Sequence, residues 1–408
     1  MTGPIDGALA RWRADTPGTA ERAHLNNAGA GLMPAPVVSA LHQHLDLEAS
    51  LGGYEAADAR APQIRATYEA LGRLVGAPAD RIAIVENATV AVSQALSTID
   101  FAPGDVVITS RADYVSNQLM LLSLARRHGI DVRRAADLPE GGVDPDAVAE
   151  LARHPRARAV VLSWMPTNSG LVQDVEAVGV IAAERGLPYL VDACQVVGQL
   201  PVDLTKVGCD FLAGTGRKFL RGPRGIGFLA VSERALARGD YPLYLDLRGG
   251  QWTGPDSFEV APGARRFENW EFGYAQVLGL GAAAEYALEA EAAGGSDRSR
   301  RLAERARAAL GALPGARILD RGRHRGAIVT MCFEGVDAAA LVADLRRRRI
   351  NTSSFPRSAA VIDMDDKGAT SGLRVSPHYY NTDDEIDRLV SALTECLDTP
   401  GTGTRPRI

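Results

Sequence analysis

Asp210-Phe-Leu-Ala-Gly-Thr-Gly-Arg-Lys-Phe-Leu-Arg-Gly-Pro-Arg-Gly-Ile-Gly-Phe228 joins two apolar strands through a glycine-broken turn, and Lys218 stands in that turn. The chain is rich in arginine but holds only three lysines, Lys206, Lys218 and Lys367. Arginine stays charged at any working pH, whereas a lysine amine can shed its proton and attack a carbonyl carbon. A lysine kept where arginine is the default residue points to that chemistry. Upstream, Leu190-Val-Asp192-Ala-Cys-Gln195 reads as a strand ending in a carboxylate, which is what a protonated nitrogen heterocycle needs beside it.

Other apolar runs alternate with helical stretches. Residues 82–85 lead through Glu86-Asn87-Ala88-Thr89 into a helix for which Asn87 is a good N-cap. The backbone N–H groups of Ala88 and Thr89, with the Thr89 hydroxyl, would form an anion cradle at the positive end of that helix. Strand 105–109 ends at Ser110-Arg-Ala-Asp113-Tyr114-Val-Ser-Asn117. Strand 159–164 precedes Met165-Pro-Thr167-Asn168-Ser-Gly170, a helix over 175–185 and the strand 188–192. Strands that are nearly all apolar and alternate with helices predict a parallel sheet covered on both faces. Functional residues of such a sheet gather beyond the strands' carboxyl ends, where Asn87, Tyr114, Asn168, Asp192 and Lys218 all fall. Taken singly, each has a plainer use: an Asp caps a turn, and a strand-end Tyr packs its ring and wets its hydroxyl.

Taken together, Asp192-x-x-Gln195, Gly214-Thr215-Gly216-Arg217-Lys218 and Gly222-Pro-x-Gly-x-Gly227 resemble the class V aminotransferases, the pyridoxal 5'-phosphate (PLP) enzymes related to cysteine desulfurases. The resemblance runs in order over nearly the whole chain. It implies an α/β protein of PLP-dependent transferase fold type I (aspartate aminotransferase-like), with a large mixed or parallel-sheet domain flanked by helices and a small C-terminal α+β domain. The expected divisions are an N-terminal segment 1–20, a PLP-binding domain 21–255, a connecting segment and helix 256–290, a small domain 291–397 and a disordered tail 398–408. The resemblance places Lys218 on the cofactor aldehyde and then in proton transfer, with Tyr114 against the ring face and as a second acid or base. Asp192 would meet the ring nitrogen, and Gln195 and Asn168 the ring hydroxyl. Ala88, Thr89, Thr215 and Arg217 would hold the phosphate. Related desulfurases usually carry histidine where Arg217 stands. Gly372-Leu-Arg374-Val-Ser-Pro-His-Tyr-Tyr-Asn381 resembles the strand whose arginine, here Arg374, clamps a substrate carboxylate. Asn26, Ala28 and Gly29 would line the substrate mouth. Family members reach the partner's phosphate through a Gly-Thr pair, and Trp270 and Glu271 stand there instead. A carboxylate beside a phosphate repels, so that contact is either lost or made by backbone N–H groups alone. A homodimer with its site at the subunit interface is still implied.

Composition narrows the class. Apolar content of 46%, charge of 23% and a net charge of −5 describe an ordinary globular protein with no basic excess for nucleic acid or anionic membrane. The first twenty residues lack a signal peptide's apolar core, and no run is long enough to span a bilayer. Cys194, Cys209, Cys332 and Cys396 are scattered without paired spacing and read as free thiols in a reducing cytoplasm. The seven histidines form no ligand set, so no metal is expected.

Class membership implies the cofactor better than the reaction. Desulfurases deliver a nucleophilic cysteine from a loop of the small domain, and the corresponding residues 350–362 contain none. Met165-Pro-Thr-Asn168-Ser-Gly-Leu171 and Pro377-His-Tyr-Tyr-Asn381 look most like a branch of carbon–sulfur lyases. That branch holds the ergothioneine-forming sulfoxide lyases and relatives that trim S-conjugated cysteines in antibiotic pathways, with isopenicillin N epimerase nearby. The leading expectation is β-elimination from a cysteine S-conjugate or its sulfoxide, giving pyruvate and ammonia. Decarboxylation-coupled oxidative deamination and epimerisation are the alternatives within this chemistry, and a catalytically silent binding protein is the alternative outside it.

Overall fold

The computed structural model describes residues 4–398, so residues 399–408 of the expected disordered tail lie outside the described part, and Asp398 closes the last helix. Seven strands form the large sheet in the order Ile82–Val85, Gly227–Val231, Phe211–Thr215, Tyr189–Asp192, Ala157–Ser163, Val106–Thr109, Asp131–Arg134. All neighbouring pairs are parallel except those made by Gly227–Val231, which runs antiparallel to both of its neighbours. The sheet is therefore mixed, as the fold type implies. Side chains alternate between its faces, as a period of two demands. Ile82, Ile84, Val160, Leu162, Val191 and Leu212 join one core cluster. Ala83, Val85, Ala159, Val161, Leu190 and Ala213 join the other. Both faces being apolar, both carry helices.

The small domain is a four-stranded antiparallel sheet in the order Ala316–Ile318, Val329–Phe333, Ser371–Val375, Ser353–Pro356. Helices Gly295–Gly311, Ala338–Arg347 and Asp383–Asp398 pack with it, and Ile386, Leu389 and Leu393 of the last are fully buried.

The chain's entry is stitched to this domain. Ala23–His24 pairs in parallel with Ile350–Asn351 as a separate two-stranded sheet, and Asn26 bridges to Ser376, so this segment is hydrogen-bonded to residues of the small domain. An extended run with free N–H and C=O groups takes the nearest unpaired strand edge. The N-terminal segment contains the helix Pro4–Ala14, whose Trp12 packs on Tyr379 with centroids 4.8 Å apart. Past the large sheet, Gly250–Gly254 and Ser257–Val260 form an antiparallel hairpin. No helix among the described residues is long and apolar enough to cross a membrane.

Candidate active site

Parallel strands in register end at one level. Ser163 pairs with Asp192 and Asp192 with Ala213, so the residues just past Ser163, Asp192 and Thr215 share one rim of the sheet. Lys218 lies in the turn beyond Thr215, closed by the Arg221 N–H donating to the Lys218 carbonyl at 3.0 Å. Its side chain is 7% exposed, and among the described residues it makes no ion pair. Burial lowers its pKa below the ordinary lysine value; Cys194 and Asp192 oppose the shift, while Arg217 and Arg374 reinforce it. The amine stands 5.5 Å from the centroid of the Tyr114 ring.

Asp192 is fixed at both oxygens. Oδ1 accepts the Cys194 N–H at 2.9 Å and Oδ2 accepts the Asn117 amide at 3.0 Å. Gln195, after the turn, donates to the Ala28 carbonyl at 3.2 Å and to the Thr167 hydroxyl at 3.1 Å, while its own Oε1 is buried without a hydrogen-bond partner. Arg374 reaches across from the small domain. Nη1 donates to Thr167 Oγ1 at 2.7 Å and to the Thr167 carbonyl at 3.0 Å, and Nη2 lies 3.4 Å from Asn26 Oδ1. Its Nε has no hydrogen-bond partner, and burial, helped by Arg217, lowers its pKa to about 10. It stays charged at neutral pH.

At the other end, Asn87 caps the helix Ala88–Ser97 by accepting the Val90 N–H at 3.0 Å. The N–H groups of Ala88 and Thr89 have no intrahelical acceptor. Gly227 lets its strand approach them: a Cβ there would lie 3.1 Å from Ala88 N and 2.6 Å from the Gly214 carbonyl. Arg217 spends one guanidinium nitrogen on the Gly29 carbonyl, and burial, then Arg224, lowers its pKa.

These residues fit PLP. A buried amine with a depressed pKa would suit the aldehyde, and an anchored carboxylate would suit the ring nitrogen. A helix N-terminus with a nearby arginine suits a phosphate. Gln195 Oε1 and Arg374 Nε are buried polar atoms whose unfilled hydrogen-bonding capacity a ligand would satisfy.

The structure gives Asn168 a different partner from the expected ring hydroxyl. Its amide donates to Asp363 of the small domain at 2.5 Å, and Thr167, one residue earlier, is the one joined to Gln195 and Arg374. Neighbouring residues of an extended turn point opposite ways, and the sequence offers two hydrogen-bonding side chains in a row with nothing to rank them. Trp270 and Glu271 are exposed beside Tyr54. Asn117, Ser163 and Asp113 were not assigned from sequence, although Asn117 follows Tyr114 at helical i+3 spacing, which could have flagged it.

A family model described as class-V aminotransferase matches residues 23–389. Isopenicillin N epimerase of Streptomyces clavuligerus is 32% identical over 339 residues, covering 80% of this chain and 82% of that protein. A probable hercynylcysteine sulfoxide lyase of Mycobacterium tuberculosis is 30% identical over 395 residues, covering 96% and 94%. The crystal structure of the Escherichia coli cysteine desulfurase CsdA superimposes with a TM-score of 0.86 at 26% identity, covering 98% of this chain and 99% of that one.

Proposed function

The chain belongs to the class V aminotransferases, is a PLP-dependent enzyme, and on that premise we propose that it is a carbon–sulfur β-lyase acting on a cysteine S-conjugate or its sulfoxide. Its products would be a thiol or sulfenate, pyruvate and ammonia, in a small-thiol or natural-product pathway of the cytoplasm. The observation that carries this reading is the pairing of Lys218 with Tyr114, whose ring centroid lies 5.5 Å from the amine, in a site with no deliverable thiol.

PLP, when bound, supplies an electron sink that makes the substrate's α-proton acidic. Arg374, charged and with Nε free, would hold the α-carboxylate and so fix which bond at the α-carbon faces Lys218. Lys218 Nζ, poised by burial to give up its charge, would take the α-proton. The Tyr114 phenol, whose ring centroid lies 5.5 Å from that amine, would give its proton to the departing sulfur. Water then converts the released unsaturated amino acid to pyruvate and ammonia, so one water is consumed for each thiol or sulfenate formed.

Persulfide chemistry is disfavoured by the four free cysteines. Cys194 is the thiol beside Asp192 and Lys218, but burial first and Asp192 second push its pKa well above the ordinary thiol range. A protonated buried thiol is no nucleophile. Cys209 and Cys396 are buried, and Cys332 sits on a small-domain strand opposite Arg317. Epimerisation would call for a second base on the substrate face opposite Lys218, a part for which Tyr114 is the candidate. The named lyase relative spans more of this chain than the named epimerase does.

A homodimer is part of the proposal. Tyr244, Leu247, Trp252, Phe258 and Trp270 are large apolar side chains left exposed in one stretch of the single chain, as a subunit contact would require. Incubating the PLP-loaded protein with an S-alkyl cysteine and with its sulfoxide tests the reaction. Pyruvate release is expected; aldehyde with carbon dioxide would mean the oxidative route, and racemised substrate an epimerase.

A further inference from the structure

Asp113 hydrogen-bonds to no side chain assigned above to cofactor or substrate, yet five donors converge on its buried carboxylate. Thr109 Oγ1 and the Tyr114 N–H each donate at 2.7 Å, and the Ser163 hydroxyl donates as well. Asn117 Nδ2 and Gln118 Nε2 reach it at 3.4 Å. Among the described residues no arginine, lysine or histidine pairs with it; Arg134 stops at Gln118 Oε1, 3.0 Å away. A carboxylate buried without a counter-ion is costly to keep, and hydrogen bonds from Ser163, Thr109 and Tyr114 offset only part of that cost, burial still holding its pKa above the ordinary carboxylate value.

The network ends at the active site by two routes. One is the backbone: the Tyr114 N–H is shared by Asp113 Oδ1 and Ser163 Oγ, which sets where the Tyr114 ring leaves the chain. The other is the Asn117 amide. Its Nδ2 faces Asp113 Oδ1, Ser163 Oγ and Asp192 Oδ2 together. A flip would bring the amide oxygen against two carboxylates, so Asp113 fixes which end of Asn117 meets Asp192. The second Asp192 oxygen is held only by the Cys194 backbone N–H.

We propose that Asp113 is a positioning residue of the cofactor site: it orients the Asn117 amide that holds Asp192 and tethers the backbone that carries Tyr114, making ring-face and ring-edge partners one rigid block. The proposal rests on the assignment of Asp192 to the ring nitrogen and not on the lyase reading, so failure of one leaves the other standing.

The test uses the full chain loaded with PLP and no substrate. The absorbance titration of the Lys218-bound cofactor reports how firmly the ring keeps its proton, since a charged ring lowers the basicity of the linkage to Lys218. Asp113→Asn removes a buried negative charge and one acceptor, and should move the titration midpoint up by about one pH unit. Asn117→Ala should move it in the same direction. The double variant should move it less than the sum of the two, because the residues act on one carboxylate. A purely architectural role predicts a lower melting temperature with the midpoint unmoved, and that result would overturn the proposal. If Asp113→Asn does not fold, Asn117→Ala decides alone: a midpoint within about 0.2 of the parent's in cofactor-loaded protein sinks the idea.

Discussion

The Thr167 hydroxyl accepts a hydrogen bond from Arg374 Nη1 at 2.7 Å while the Gln195 amide reaches the same oxygen at 3.1 Å. One oxygen thus ties the substrate clamp of the small domain to the residue that follows Asp192. With both lone pairs used, its own proton is free to point at a bound acceptor. Thr167→Val keeps the shape and removes the oxygen. Leaving a charged donor short of its acceptor costs about 1–3 kcal/mol, so KM for any α-amino acid should rise roughly 5- to 150-fold. Thr167→Ser should restore it. Steady-state kinetics of the two variants, with kcat reported separately, checks the split.

Lys218 gives a prediction that needs no substrate. Its folded pKa lies below the 10.5 of a free lysine because it is buried. Between the folded and unfolded values the unfolded chain binds more protons, so this group's penalty on stability is largest at low pH and relaxes as pH rises toward 10.5. Lys218→Met should therefore melt above the parent when both are cofactor-free at neutral pH, and the gap should narrow in alkaline buffer. In loaded protein the same substitution should abolish turnover, a loss of about 10²–10⁴-fold or more for a positioned acid–base group. Calorimetry across pH and the pyruvate assay test the two halves.

Much of this site was legible because PLP chemistry uses residue types at strand ends, and strand ends are visible as breaks in apolar runs. Lys218, Asp192 and Gln195 lie next to such breaks. Arg374 lies in a strand of the small domain, and a motif rather than periodicity singled it out. That Thr167 rather than Asn168 joins Gln195 and Arg374 was not legible, since which of two adjacent polar residues meets those partners depends on the turn's dihedral angles. Nor was the helix Pro4–Ala14, whose Trp12 finds its apolar partner, Tyr379, at the far end of the chain. The hairpin at 250–260 escaped because its aromatic residues are exposed in the single chain, so no inside–outside alternation marks it.

Arg221, three residues after Lys218, is 1% exposed and has a φ of 61°, in the left-handed region that non-glycine residues rarely enter. Its guanidinium donates to the Leu32 carbonyl at 2.7 Å, the Tyr379 hydroxyl at 2.9 Å and Thr16 Oγ1 at 2.5 Å, and lies 4.4 Å from the Tyr380 ring centroid. It therefore pins the lysine turn to the N-terminal segment and the small domain at once. Arg221→Met removes the donors and leaves those acceptors buried, which should cost about 2–4 kcal/mol of stability. Tyr379→Phe removes one partner and should cost about 1 kcal/mol. Urea unfolding of the loaded protein gives both numbers, and equal stability of all three proteins would refute the clamp.

Cys332 separates lyase from persulfide chemistry. It is the one cysteine of the four that is not buried, and it lies on the strand Val329–Phe333, one residue past Met331, which pairs with Leu373 beside Arg374. Thr330 of that strand pairs with Arg374, and side chains two residues apart share a face, so Cys332 lies on the Arg374 face of the sheet, one residue pair further along. Iodoacetamide should label Cys332 and spare the three buried thiols, because only an accessible thiolate alkylates quickly. If the enzyme is a lyase, Cys332→Ser should release pyruvate from S-alkyl cysteine at the parent's rate, and the labelled parent should match it. Loss of turnover in both would mean that a small-domain thiol takes part after all. The assignment would then return to sulfur transfer, with the nucleophile delivered from a strand rather than from residues 350–362.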